Sequence, residues 1–254
     1  MTVLVMTFLL GCLSVMTVRG RQGNWPAGMP VARPRLVAVG GTYEGANGRP
    51  SDAYVVQERL IAAARGVGGT ERAHAAAVLA LGAVVAERPQ HTDNRERDLN
   101  GCAQAAHRAV RAAALRDPGP SELVSTLDLV VLDRTESPRL RYAHVGDGAI
   151  WHCPRGGEPR RLTTPPAHDA GPPPRVLGRP STLKPEVGAV ALRPGDRVAI
   201  VTDGAVRALG DRRMKELLTG GASPIACLDR LYDEMAAVEP KGDATVIIAE
   251  FVTA

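Results

Sequence analysis

Strand-like and helix-like segments are grouped along this chain, not alternated. Strand-like runs come first, "PRLVAVGGTYEG" and then "SDAYVVQERLIAAARGVGG", the latter split by a polar turn at Gln57 to Arg59. Two helical segments follow: "TERAHAAAVLALGAVVAE", with alanines and branched apolar residues at helical spacing, and "NRERDLNGCAQAAHRAVRAAALRD", with a charged face and a "PGP" stop. Strands return in "ELVSTLDLVVLDR", "RLRYAHVGDGAIWHC" and "AVALRPGDRVAIVTDG", and "ATVIIAEFV" closes the chain. Between these, "RMKELLTG" and "SPIACLDRLYDEMAAV" read as late helices, the second opened by a Ser-Pro pair suited to a helix N-terminus. An alternating order would build a parallel sheet. This grouping predicts an α+β protein, antiparallel sheets with helices segregated outside them.

The 254 residues can bury one sizeable core. Aromatics supply only 3% of the chain, so that core is built from Ala, Val and Leu, which suits helix layered on sheet. The net charge of +4 comes from scattered arginines, with Lys184, Lys215 and Lys241 the only lysines. No basic stripe interleaved with aromatics is present, which argues against a nucleic-acid partner. Cys12, Cys102, Cys153 and Cys227 lie far apart, without zinc spacing or disulfide density, and read as reduced and structural. The histidines form no i,i+4 pair and read as core or surface residues.

Residues 2–18, "TVLVMTFLLGCLSVMTV", are an uncharged apolar run at the lower limit of a membrane span. Arg19 and Arg21 follow it, the wrong order for a secretory signal; an anchor in this order leaves the rest of the chain on the cytoplasmic side. Two readings stay open, an anchor or a start placed too far upstream of Met16 or Met29. Residues 19–34 read as a Gly/Pro-rich linker, and 35–254 as one domain, monomeric and cytoplasmic. Within it "RLTTPPAHDAGPPPRVLGRP" holds six of the 20 prolines and reads as an irregular loop.

Three acids mark the ends of strand-like runs: Asp147 in "HVGDGAIW", Asp203 in "AIVTDGAV" and Asp243 in "KGDATVII". Singly, Asp-Gly is a turn signal. Gathered from several strands, such carboxylates suit hard cations that keep several waters and activate one for attack on phosphorus.

In order and spacing the blocks resemble the metal-dependent protein phosphatases of type 2C, the PPM family, from about residue 35 to the C-terminus. "NGRPSDAYVV" stands in place of the family's Arg-x-x-Asn-Glu-Asp block, with Asp52 at the final Asp. "RGVGG" stands for Asp-Gly-Met-Gly-Gly, "VGDGA" for Gly-Asp-Ser-Arg, "RPGDRVAIVTDG" for the Pro-Gly-Asp and Ser-Asp-Gly pair, and "GDATVII" for Asp-Asn-x-Thr. "RVLGRP" matches the family's Leu-Gly segment. The resemblance implies a four-layer α-β-β-α sandwich, two central antiparallel sheets flanked by helix pairs, with a Mn2+ or Mg2+ cleft at one end. It implies metal ligation by Asp203, Asp243, Asp147 and the Gly66 carbonyl, with Asp52 assisting and Arg49 steadying a phosphate.

Three positions depart from the family. The acid that bridges both metals is replaced by Arg65, the early Glu by Ser51 and the phosphate-clamping Arg by Asn47. Two dications about 3.5–4 Å apart need a shared carboxylate, whereas arginine offers only donors and a fixed positive charge. No Asp lies between Asp52 and Asp93, so no shift of the block recovers the acid; Glu58 and Glu71 are the substitutes in reach. The proline-rich loop stands where the family has a substrate-contacting flap. Two functions follow: a phosphoserine/phosphothreonine phosphatase with reduced metal occupancy, or a pseudophosphatase that binds a phosphoprotein or regulatory partner. A third reading makes the aspartates plain turn residues of an unrelated α+β protein.

Overall fold

A computed structural model describes residues 33–253, apart from 69–70, 88–94, 120, 134–137, 166–174 and 222. The apolar run, most of the linker and the middle of the proline-rich loop lie outside the described residues, as does the side chain of Glu71.

Eleven strands are described, all paired antiparallel, in two sheets. The first has the order β1-β11-β10-β7-β8, from β1 (Pro34–Tyr43), β11 (Ala244–Thr253), β10 (Arg197–Val201), β7 (Ala149–Cys153) and β8 (Arg160–Arg161). The second runs β2-β3-β5-β6-β9, from β2 (Asp52–Val56), β3 (Leu60–Val67), β5 (Leu127–Asp133), β6 (Arg139–Val145) and β9 (Glu186–Ala191), with β4 (Val124–Ser125) added to β3. Helices α1 (Glu71–Glu87) and α2 (Arg95–Arg116) cover the second sheet; α3 (Asp203–Leu218) and α4 (Pro224–Val238) cover the first.

Three apolar layers hold the stack. Ala76, Ala77, Ala80 and Val84 of α1 press on Ala62, Ala64 and Leu129, so the small side chains foreseen from the composition let helix and sheet approach closely. Ile61, Val130, Leu140, Ile150, Ile200 and Ile247 fill the space between the sheets, and Trp151, Met214, Leu231 and Val246 lie in the layer under α3 and α4. At about 25 cal/mol per Å2 of apolar surface removed from water, these layers are the main source of stability.

Helix α4 begins as the Ser-Pro pair predicts: Ser223 accepts from the Ala226 amide at 3.2 Å, with Pro224 next. Helix α3 differs from the sequence reading. It begins at Asp203, ten residues before "RMKELLTG", and is broken at Gly210, whose φ of 70° lies in the left-handed region open to glycine. Asp203 therefore opens a helix instead of closing a strand. Among the described residues no helix is long and apolar enough to cross a membrane.

Candidate active-site cleft

Antiparallel pairing brings one set of strand ends together. The start of β2 carries Asp52, and directly across from it in register stands Arg65 near the end of β3. Asp147 sits in the turn from β6 to β7, which passes from one sheet to the other. Thr202 and Asp203 follow β10, and Asp243 precedes β11. The four acids are all buried.

Arg65 occupies the centre. Its Nη2 donates to Asp147 Oδ2 at 2.7 Å and lies 3.4 Å from Asp203 Oδ2. Arg207, one helical turn beyond Asp203, donates from Nε to Asp203 Oδ1 at 2.6 Å and brings Nη2 to 3.8 Å from Asp147 Oδ2. Burial disfavours the Arg65 cation, but Asp147 and then Asp203 outweigh it, and the guanidinium is held above its ordinary value. Burial lifts the Asp203 carboxyl above its usual range, with Arg65 opposing and Asp147 adding to the rise. Asp147 Oδ1 and Arg65 Nε are buried without a hydrogen-bond partner.

The other two acids are satisfied by uncharged donors. Asp243 Oδ2 accepts from the Ser51 amide at 2.8 Å and the Asp52 amide at 3.4 Å, and Oδ1 from the Gly45 amide at 3.3 Å. Asp52 Oδ2 accepts from the Thr202 hydroxyl at 2.6 Å and Oδ1 from Ser51 at 3.1 Å. Burial pushes the Asp52 carboxyl up to about 6 despite these bonds. Thr202 also accepts from the Thr245 amide at 2.9 Å, so its hydroxyl serves the site and makes no cap for α3.

A cleft of about 460 Å3 opens over this floor, lined among others by Ser51, Arg65, Asp203, Arg207, Lys241 and Asp243. Arg49 is exposed on the loop between β1 and β2 and is not among the lining residues. Gly66 is buried, donates its amide to the Ser51 carbonyl at 2.8 Å, and packs so closely on α1 that a Cβ would come within 1.8 Å of the Ala73 carbonyl oxygen. Glu58, offered as a substitute acid, is exposed, and its carbonyl accepts from the Leu36 amide at 2.7 Å. The residues that sequence reasoning passed over are Arg207 and Thr202. The Asp203/Arg207 spacing of four was the signal for the first; nothing short of the fold reveals the second.

The donor set does not compose a two-metal centre. Asp147 and Asp203 face a guanidinium that offers only N–H groups. Among the described residues no three of His, Cys, Asp or Glu are arranged to hold a metal ion.

Two antiparallel sheets between helix pairs, with acids gathered at one end, define the metal-dependent phosphatase class of fold. The sequence profile of Protein phosphatase 2C matches residues 46–235, and the chain belongs to that family. Solved structures share the fold. The Mycobacterium tuberculosis serine/threonine phosphatase PstP/Ppp superposes with a TM-score of 0.75 at 20% identity, over 85% of this chain and 98% of that one. The catalytic domain of PstP in complex with two manganese ions gives 0.76 at 20% identity, over 87% and 100%. The Mycobacterium smegmatis PPM Ser-Thr phosphatase MsPP in complex with cacodylate gives 0.70 at 23% identity, over 84% and 97%. A comparison with curated protein sequences finds no match.

Proposed function

We propose that this chain is a member of the family that keeps the phosphatase fold without two-metal hydrolysis and serves as a regulatory module binding a phosphoprotein or protein partner. The observation that carries the reading is the Arg65 contact to Asp147 at 2.7 Å and to Asp203 at 3.4 Å. By resemblance those acids are metal positions, and here a fixed cation stands between them. A dication entering the same space has to expel the guanidinium or bear its repulsion.

The second reading, an active phosphoserine/phosphothreonine phosphatase using Mn2+ or Mg2+, is favoured by the survival of Asp52, Asp147, Asp203 and Asp243 around one cleft. In it Asp203, Asp243, Asp147 and the Gly66 carbonyl hold the ions and Arg49 swings in to the phosphate.

Calorimetric titration of Mn2+ into the full chain, beside an Arg65→Asp variant, separates the two. The proposal expects weak or no binding in the native chain, gained in the variant, and no manganese-dependent phosphate release from a phosphoseryl peptide by the native chain. Two tight sites and phosphate release in the native chain would establish the second reading.

A further inference from the structure

Four carboxylates meet at one end of the sandwich, and all are nearly sealed from water: Asp147 is 3% exposed, Asp52 5%, Asp243 6% and Asp203 8%. Like charges gathered where water is excluded repel strongly, and the fold carries them only if donors or counter-charges arrive with them. Asp243 is met by three backbone amides and Asp52 by two hydroxyls. Asp147 and Asp203 have arginine instead. Arg207 is half exposed, so water screens its contribution; the Arg65 side chain is only 17% exposed. The Arg65 cation also faces Asp52 across the β2–β3 ladder, so one guanidinium answers three carboxylates.

The hydrogen bonding of Arg65 is poor for so buried a group. Among the described residues a single terminal nitrogen makes both contacts, and Nε is buried without a partner. A side chain chosen for its donors would not be left in this state. One retained for its charge can be.

We infer that Arg65 is a tethered counter-ion that replaces dissolved metal as the charge holding the acidic end of this fold together, so that β3, the β6–β7 turn and the start of α3 stay joined with no divalent ion present. The inference deepens the reading above and rests on it only in taking Arg65 as the resident cation of the cleft.

The test is thermal unfolding of the full chain in EDTA and in millimolar MnCl2. The native chain should melt at the same temperature in both. Arg65→Met should melt about 6–20 °C lower in EDTA, because it strands buried carboxylates. Arg65→Lys, which keeps the charge, should recover most of that loss, and the double variant Arg65→Met, Asp147→Asn, which removes one of the stranded carboxylates, should recover part of it. Arg65→Asp should melt low in EDTA and be raised by Mn2+. A native melting point lowered by EDTA overturns the inference, and so does an Arg65→Met variant as stable as the native chain. If Arg65→Met does not fold, the native EDTA comparison and Arg65→Lys still decide. A native chain that binds no manganese yet tolerates Arg65→Met overturns this inference alone; manganese-dependent phosphate release overturns the functional reading alone, provided the native melting point is unchanged by EDTA.

Discussion

His144 Nδ1 lies 2.7 Å from Asp128 Oδ1, and the two are direct cross-strand partners on β6 and β5. Both sit on the face that carries Val130, Leu132, Leu140 and Tyr142 into the space between the sheets, and Asp128 Oδ2 has no hydrogen-bond partner there. The pair is therefore a buried histidine–carboxylate contact at the edge of an apolar layer.

A pH dependence follows. Burial disfavours the imidazolium, but Asp128 and then Glu186 outweigh it against the opposing Arg161, and His144 is held above its ordinary 6.5. A histidine whose folded value lies above its unfolded one contributes stability that is complete below 6.5 and is lost as pH rises through the folded value. Urea unfolding at pH 6 and pH 9 should show the native chain losing more stability than His144→Gln over the same interval. Equal losses in the two proteins would remove the pair from the account.

Asp52 behaves in the opposite sense to an ordinary paired carboxylate. Its folded value of about 6 lies above the reference 3.8, so ionisation costs stability, and the cost grows between those two pH values. At 1.36 kcal/mol for each unit, the full cost above pH 6 is up to about 3 kcal/mol. Asp52→Asn keeps an acceptor for Thr202 and should raise the melting temperature at pH 8 while giving no gain at pH 4. A gain equal at both would show that charge is not the cause.

Much of this is legible in the sequence, for physical reasons that also mark where legibility stops. Grouped strands and helices gave the α+β architecture because period and turn chemistry are local. The Ser-Pro start of α4 is local too. The first half of α3 is not legible: Gly210 interrupts "DGAVRALGDRR", and the seven residues before it are too few to declare a helical period. The two-residue strands β4 and β8 lack any pattern of their own. At the site, the substitution of an acid by Arg65 was plain in the sequence. Which carboxylates it meets depends on the β2–β3 register and on a turn that crosses between sheets, and neither is written locally.

Thr202 joins two parts of the site through one hydroxyl, donating to Asp52 at 2.6 Å and accepting from the Thr245 amide at 2.9 Å. Thr202→Val keeps the shape and removes both bonds, leaving a buried amide and a buried carboxylate each short of a partner. The expected loss is about 2–4 kcal/mol by chemical denaturation, with Thr202→Ser within about 1 kcal/mol of the native chain. If Val and Ser behave alike, the hydroxyl is not what the position provides.

The alanine face of α1 sets how near that helix lies to the second sheet. Ala77 is fully buried in the layer containing Leu129 and Ala64, whereas its neighbour Val78 is 48% exposed. Adding three carbons at Ala77 pushes α1 outward or forces strained rotamers, and α1 is also the element whose Ala73 carbonyl presses on Gly66 beside Arg65. Ala77→Leu should therefore cost about 1–3 kcal/mol in denaturant unfolding, while Val78→Leu stays within about 0.5 kcal/mol. Because the displaced helix abuts the strand that carries Arg65, a crystal structure of Ala77→Leu should also show a longer Arg65 to Asp147 contact than 2.7 Å. An unchanged contact together with the full stability loss would mean that the α1 layer and the cleft are mechanically independent.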